Sequence, residues 1–153
     1  MSTVVPVAEL QNYVGKEREP SEWFQIDQDR VNAFADATLD HQFIHLDEEK
    51  AKATPFGTTI AHGYLTLSLL PYLSAQCGIV PEGMVMAINY GSDKLRFLQP
   101  VPVGSSVRAH MVLDSITEKN PGQYLFKSIV TVEIKDQAKP ALIAETLSLF
   151  IVQ

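Results

Sequence analysis

The sequence predicts an α+β domain in which one long antiparallel sheet wraps around a buried helix. Three observations predict it. Helical spacings fall in the first half of the chain, between Asp27 and Cys77. The second half alternates apolar and polar residues in long runs, the period of strands. Between these regions, Ile60 to Cys77 is apolar on nearly every side, as expected of a helix surrounded by protein. Helices grouped ahead of strands, rather than alternating with them, give the α+β order.

The elements follow in turn. Trp23, Phe24 and Ile26 suggest a short strand. Asp27 then caps a helix whose positions Val31, Phe34, Ala35 and Thr38 lie on one face. Leu39 to Leu46 reads as loop. Asp47 caps a second, charged helix over Glu48–Ala53, ended by Pro55 and Gly57. In the apolar helix, Pro71 predicts a kink or break and Gly78 a stop. Val85–Leu98 and Leu142–Val152 read as strands, as do the alternations through Val107, Ala109, Met111 and Leu113 and through Tyr124, Phe126, Ser128, Val130, Val132 and Ile134. Asn120-Pro121-Gly122 turns between the last two. A sheet curled around one buried helix is the hotdog architecture. With no internal repeat and no low-complexity linker, residues 1–153 read as a single domain.

Composition narrows the function. A chain of 153 residues, nearly half of them apolar, can bury a core of its own. The net charge is −6 with no run of Lys or Arg, which argues against nucleic acid and anionic membranes as partners. No apolar run reaches the roughly 18–20 residues of a membrane span. Cys77 is the only cysteine, so no disulfide forms within the chain; it reads as a packed residue rather than a nucleophile. The first residues lack the basic-then-apolar pattern of a secretory signal, so a cytoplasmic location is expected.

Chemistry is concentrated between Thr38 and Gly63. Asp40 and His45 put a carboxylate and an imidazole five positions apart. His62-Gly63 then begins the apolar helix, where backbone N–H groups are free. Each residue also has a structural reading. Asp40 could bond its own backbone as loop aspartates do, His45 could be a satisfied core histidine, and Gly63 could permit close helix–sheet packing. His62 suits a capping or supporting role, and His41 reads as solvated. A metal site from His41, His45 and Asp47 lacks a recognised ligand spacing, so none is expected. Tyr64 and the leucines after it read as core.

Asp40-His41-Gln42-Phe43-Ile44-His45 resembles the Asp-x-Asn-Pro-Ile/Leu-His signature of the MaoC-like, (R)-specific enoyl-CoA hydratases. Ile60-Ala61-His62-Gly63-Tyr64-Leu65 resembles the start of their central helix, and Lys94 to Gly104 their central strand and the turn after it. The resemblance runs from about Trp23 onward. The wording is most similar to the branch named for nodulation protein N, where Gln and an aromatic replace Asn-Pro. Leu39 stands where many members have Gly. Ser68 is on the helix that carries a serine in some members, and Pro71 occupies the closer position.

The resemblance implies (R)-specific hydration of trans-2-enoyl-CoA, or the reverse dehydration of 3-hydroxyacyl thioesters. Asp40 and His45 would act as the acid/base pair on one water. The Gly63 N–H would hold the thioester oxygen. The substrate is an acyl-CoA or acyl-carrier-protein thioester, with no further cofactor. His62, Lys94 and Arg96 are candidate substrate contacts; the last two could meet the phosphates of the carrier arm or form an outer solvated face. Two alternatives stand beside this: a thioesterase of the same fold, and an acyl-thioester binding protein without turnover. Sheet edges left open in a lone hotdog domain predict a homodimer with the acyl tunnel near the interface.

Overall fold

The computed structural model of the protein describes residues 2–153. In chain order it contains β1 (Thr3–Val5), a 3-10 helix (Val7–Tyr13), β2 (Phe24–Gln25), α1 (Gln28–Thr38), α2 (Phe43–Leu46) and α3 (Glu48–Ala51). There follow α4 (Gly63–Ser68), α5 (Leu70–Cys77), β3 (Ile79–Pro81), β4 (Met84–Phe97), β5 (Ser106–Asn120), β6 (Gln123–Ile134) and β7 (Leu142–Val152). Five strands form one antiparallel sheet in the order β2-β5-β6-β7-β4. The strand alternation holds: Val107, Ala109, Val130, Val132, Leu142 and Ala144 turn inward onto Leu65, Leu70 and Leu73 of the central helices. This is the α+β hotdog arrangement. No helix among the described residues is long and apolar enough to cross a membrane.

The expected caps are present. Asp27 accepts from the Arg30 N–H at 2.9 Å and Asp47 from the Lys50 N–H at 3.1 Å, each stabilising a first turn. The helix after Asp47 ends at Ala51, two residues short of the expected boundary.

The central helix shows the break that Pro71 predicts and differs from expectation in two ways. It starts at Gly63, because Ile60 and Ala61 are extended and pinned by backbone bonds to Ile44 and Val101. It divides at Leu69, with Pro71 in the first turn of α5, where the missing proline N–H costs no hydrogen bond. It is also not covered all round. Tyr64, Ser68, Pro71, Tyr72 and Ala75 form an exposed stripe, and Tyr64, expected in the core, is 66% exposed.

The N-terminus adds structure that the sequence did not announce. β1 pairs in parallel with β3, and a second apolar cluster of Val5, Leu10, Ile79, Leu113 and Phe126 forms beneath the 3-10 helix.

Candidate active site

The segment expected as loop from Leu39 to Leu46 contains the helical turn α2. Leu39 ends α1 in the left-handed region, at φ 65°. That reverses the chain and delivers Asp40 beside the start of α4. The Asp40 Oδ1 accepts the Gln42 N–H at 3.3 Å, the local bond open to any loop aspartate. Gln42 precedes α2 with φ −60° and ψ 135°, and its side chain makes no capping bond. Phe43 is therefore the first residue of a helical turn, a position that proline suits.

α2 carries His45 inward, leaving it 7% exposed. Its Nδ1 lies 2.6 Å from the Ile60 carbonyl, which can only accept, so Nδ1 carries the hydrogen and the neutral ring keeps its lone pair on Nε2. The His45 carbonyl accepts from Gln28 Nε2 at 2.8 Å. Gln28 Oε1 lies 2.8 Å from the Thr59 hydroxyl, and Glu48 Oε2 accepts the Thr59 N–H at 3.1 Å. This network joins α1, α2, α3 and the chain leading to α4.

His62 stacks on His45, with ring centroids 3.8 Å apart. Its Nε2–H donates to the Asp40 carbonyl at 2.9 Å and lies 3.9 Å from Asp40 Oδ2. Nδ1 of His62 is buried and has no partner among the described residues. Asp40, His45 and His62 each bring one nitrogen or carboxylate oxygen within 4.8 Å of the others. One water at about 2.8 Å from each of two such atoms spans that separation. Burial lowers the His45 pKa from its ordinary 6.5; the Ile60 carbonyl opposes this, the His62 charge lowers it further, and the Asp40 carboxylate raises it. Stacked imidazoles send their lone pairs outward in nearly parallel planes, a poor arrangement for two nitrogens to meet one ion at about 2.0–2.1 Å.

A cavity of about 410 Å³ opens beside this cluster, its wall including His45, Gly63, Thr66, Phe97, Val101 and Leu142. Gly63 is the first residue of α4, so its N–H has no carbonyl behind it in the helix. A Cβ built on Gly63 would lie 3.0 Å from the Phe97 ring. The glycine thus allows the close approach of Phe97 to the start of α4.

The remaining expected residues fall elsewhere. Lys94 and Arg96 lie opposite Glu145 and Ile143 on β7, on the face away from the buried Leu142 and Ala144. Lys94 Nζ is 3.7 Å from Glu145, and Arg96 donates to the Leu95 carbonyl. Neither forms part of the cavity wall. His41 is exposed, 2.9 Å from Asp36. Ser68 donates to the Tyr64 carbonyl on the open face of α4. Cys77 is buried, and burial pushes its thiol pKa up, as befits a packed residue. Sequence reasoning missed Thr66 and Phe97. A lone hydroxyl between Leu65 and Leu67 could have drawn attention to the first; Phe97 arrives from the sheet, and nothing local indicates its destination.

Residues 9–137 match the family described as MaoC like domain. The chain is 49% identical over 147 residues to a 3-hydroxyacyl-thioester dehydratase Z of Mycobacterium tuberculosis (strain H37Rv), covering 96% of this chain and 97% of that protein. It is 41% identical over 144 residues to a Nodulation protein N of Rhizobium leguminosarum bv. viciae, covering 94% and 89%. Among solved structures, the R-hydratase PhaJ1 from Pseudomonas aeruginosa superposes with a TM-score of 0.77 at 25% identity, covering 97% of this chain and 87% of that one.

Proposed function

The chain belongs to the MaoC-like domain family, and on that premise we propose that it catalyses (R)-specific hydration of trans-2-enoyl thioesters and the reverse dehydration of 3-hydroxyacyl thioesters. The observation that carries this reading is the approach of Asp40 and His45 to a separation one water can bridge, with His45 in the wall of a largely apolar cavity. As the water oxygen bonds to C3, an O–H bond breaks and the pair takes the proton. The C2=C3 electrons move onto the thioester oxygen as an enolate, and a proton then returns to C2. The His45 tautomer supports its Nε2 as an acceptor in that exchange. The Gly63 N–H supports the enolate oxygen. His62 acts through Asp40, whose carbonyl it holds.

The test is loss of enoyl absorbance across a panel of trans-2-enoyl-CoA esters. Asp40→Asn keeps an oxygen for the Gln42 N–H at a side chain 55% exposed, so its fold is expected intact. Its kcat falls by about 10²–10⁴. A wild type silent across the panel, or a fully active Asp40→Asn, overturns the proposal. Turnover without hydration, seen as free thiol, would identify a thioesterase instead. Tight acyl-CoA binding without turnover, unaffected by Asp40→Ala, would identify a binding protein.

The same reading includes a homodimer. β4 is an edge strand exposing Met84, Met86, Ile88 and Tyr90, a ladder and apolar surface suited to a second copy. Sedimentation at micromolar concentration is expected to give twice the chain mass, and a monomer would overturn this assembly.

A further inference from the structure

We propose that the Thr66 hydroxyl is a second donor to the thioester carbonyl oxygen, sharing it with the Gly63 N–H; this rests on the thioester reading of the cavity. Thr66 is 2% exposed, forms part of the cavity wall, and its Oγ1 has no hydrogen-bond partner among the described residues. A buried hydroxyl without a partner destabilises the protein that keeps it. The usual remedy within a helix is a bond to the carbonyl four residues back. Ser68 on the same helix takes it, donating to the Tyr64 carbonyl at 2.6 Å. Thr66 does not. The corresponding carbonyl, on His62, already accepts the N–H groups of Leu65 at 3.0 Å and Thr66 at 3.3 Å.

Position on the helix says where the Thr66 side chain lies. Side chains lean toward the helix N-terminus, so Thr66 stands over the turn that Gly63 begins. Residues three apart share a helix face. Of the substrate's reacting oxygens, the water or 3-hydroxyl is occupied by Asp40 and His45. The carbonyl oxygen has two lone pairs, and one N–H satisfies one of them. Gln99 also contributes to the wall, but its amide nitrogen lies 3.3 Å from Gln137 Oε1. As charge develops on the enolate oxygen, a second fixed donor strengthens in the transition state.

Thr66→Val removes the hydroxyl and keeps the shape; Thr66→Ser keeps the hydroxyl. With trans-2-enoyl-CoA, Thr66→Val is expected to lower kcat/KM about 10- to 100-fold, chiefly in kcat, and Thr66→Ser by no more than about 3-fold. The Tm of Thr66→Val should equal or exceed that of wild type, because an unpaired hydroxyl has gone; Thr66→Ala serves as a second deletion. Calorimetry then compares a saturated acyl-CoA with its thioether analogue, which lacks the carbonyl oxygen. Thr66→Val should weaken the thioester and leave the thioether unchanged. Equal losses on both ligands, or unchanged kcat with wild-type turnover intact, overturn the Thr66 assignment alone. A wild type that binds neither ligand and turns over no enoyl-CoA overturns the thioester reading, and this assignment with it.

Discussion

The imidazole rings of His45 and His62 stack with their centroids 3.8 Å apart and their planes 25° from parallel. Each ring is anchored through one nitrogen to a backbone carbonyl, His45 to Ile60 and His62 to Asp40. Two cations at that separation repel strongly in a buried setting. The pair therefore favours at most one charge, and His62 influences His45 as well as the position of Asp40.

His62→Gln separates these two effects. The glutamine amide can reproduce the donation to the Asp40 carbonyl, but it cannot become a cation. The His62 charge lowers the His45 pKa, so its removal moves the acid limb of the pH–rate profile to higher pH. The plateau kcat should stay within about tenfold of wild type. A limb that stays in place or moves down would disprove the coupling.

Stability should fall on acidification in two stages. The His45 pKa in the fold lies below its ordinary 6.5, so the unfolded chain takes up the proton first. The corresponding stabilisation is complete above that value and is lost as pH falls through it toward the folded pKa. The Glu48 carboxyl is lowered from 4.5 by the Thr59 N–H and hydroxyl, and Glu133 by Arg108. Their stabilisation is present above 4.5 and lost as pH falls through their folded values. Thermal unfolding from pH 8 to pH 3 measures both stages. His45→Gln should flatten the first and leave the second.

Gly63→Ala introduces a methyl 3.0 Å from the Phe97 ring. Phe97 is partly exposed and can give way, so the expected loss of stability is about 1 kcal/mol rather than failure to fold. The methyl crowds the cavity wall that Gly63 and Phe97 share, and kcat/KM should fall by about tenfold or more. Unfolding and kinetics on the same variant check both. Full activity in Gly63→Ala would show that a methyl at this position does not obstruct the site.

Leu39 and Phe43 depart from the residues that the family resemblance would place there, and the backbone shows what restoring those residues would do. Leu39 is exposed at φ 65°, where a side chain costs about 1–2 kcal/mol. Leu39→Gly should raise stability by about 1 kcal/mol after allowance for glycine's flexibility. Phe43 opens α2 behind an extended Gln42, a setting that accepts proline. Phe43→Pro should retain activity. Denaturant midpoints and initial rates test both substitutions.

The sheet was legible because Val107 and Ala109, Val130 and Val132, and Leu142 and Ala144 place apolar side chains two positions apart, and one alternation can satisfy one face only. The approach of Asp40 to His45 and a helix start at Gly63 were legible because both lie in one short stretch of chain. Tyr64 was misread for a physical reason. Periodicity says which residues share a helix face, but not that the face of Tyr64, Ser68 and Tyr72 lacks a cover. Ile60 and Ala61 were read into the helix because apolar character does not distinguish an extended approach from a first turn. The α2 turn was missed because four residues are too few to show a period. β1 and β3 were missed because each is three residues long and their pairing joins distant parts of the chain.

The bonds from Gln28 to the His45 carbonyl, from Thr59 to Gln28, and from Thr59 to Glu48 have a practical consequence for protein engineering. Residues 39–47 carry Asp40 and His45, the pair proposed as acid and base, yet they are not a portable cassette. Grafted onto another hotdog scaffold, they would bring Asp40 and His45 without the fastenings that fix the main chain between them. Gln28, Glu48 and Thr59 must travel with the graft, although none is next to either residue in sequence.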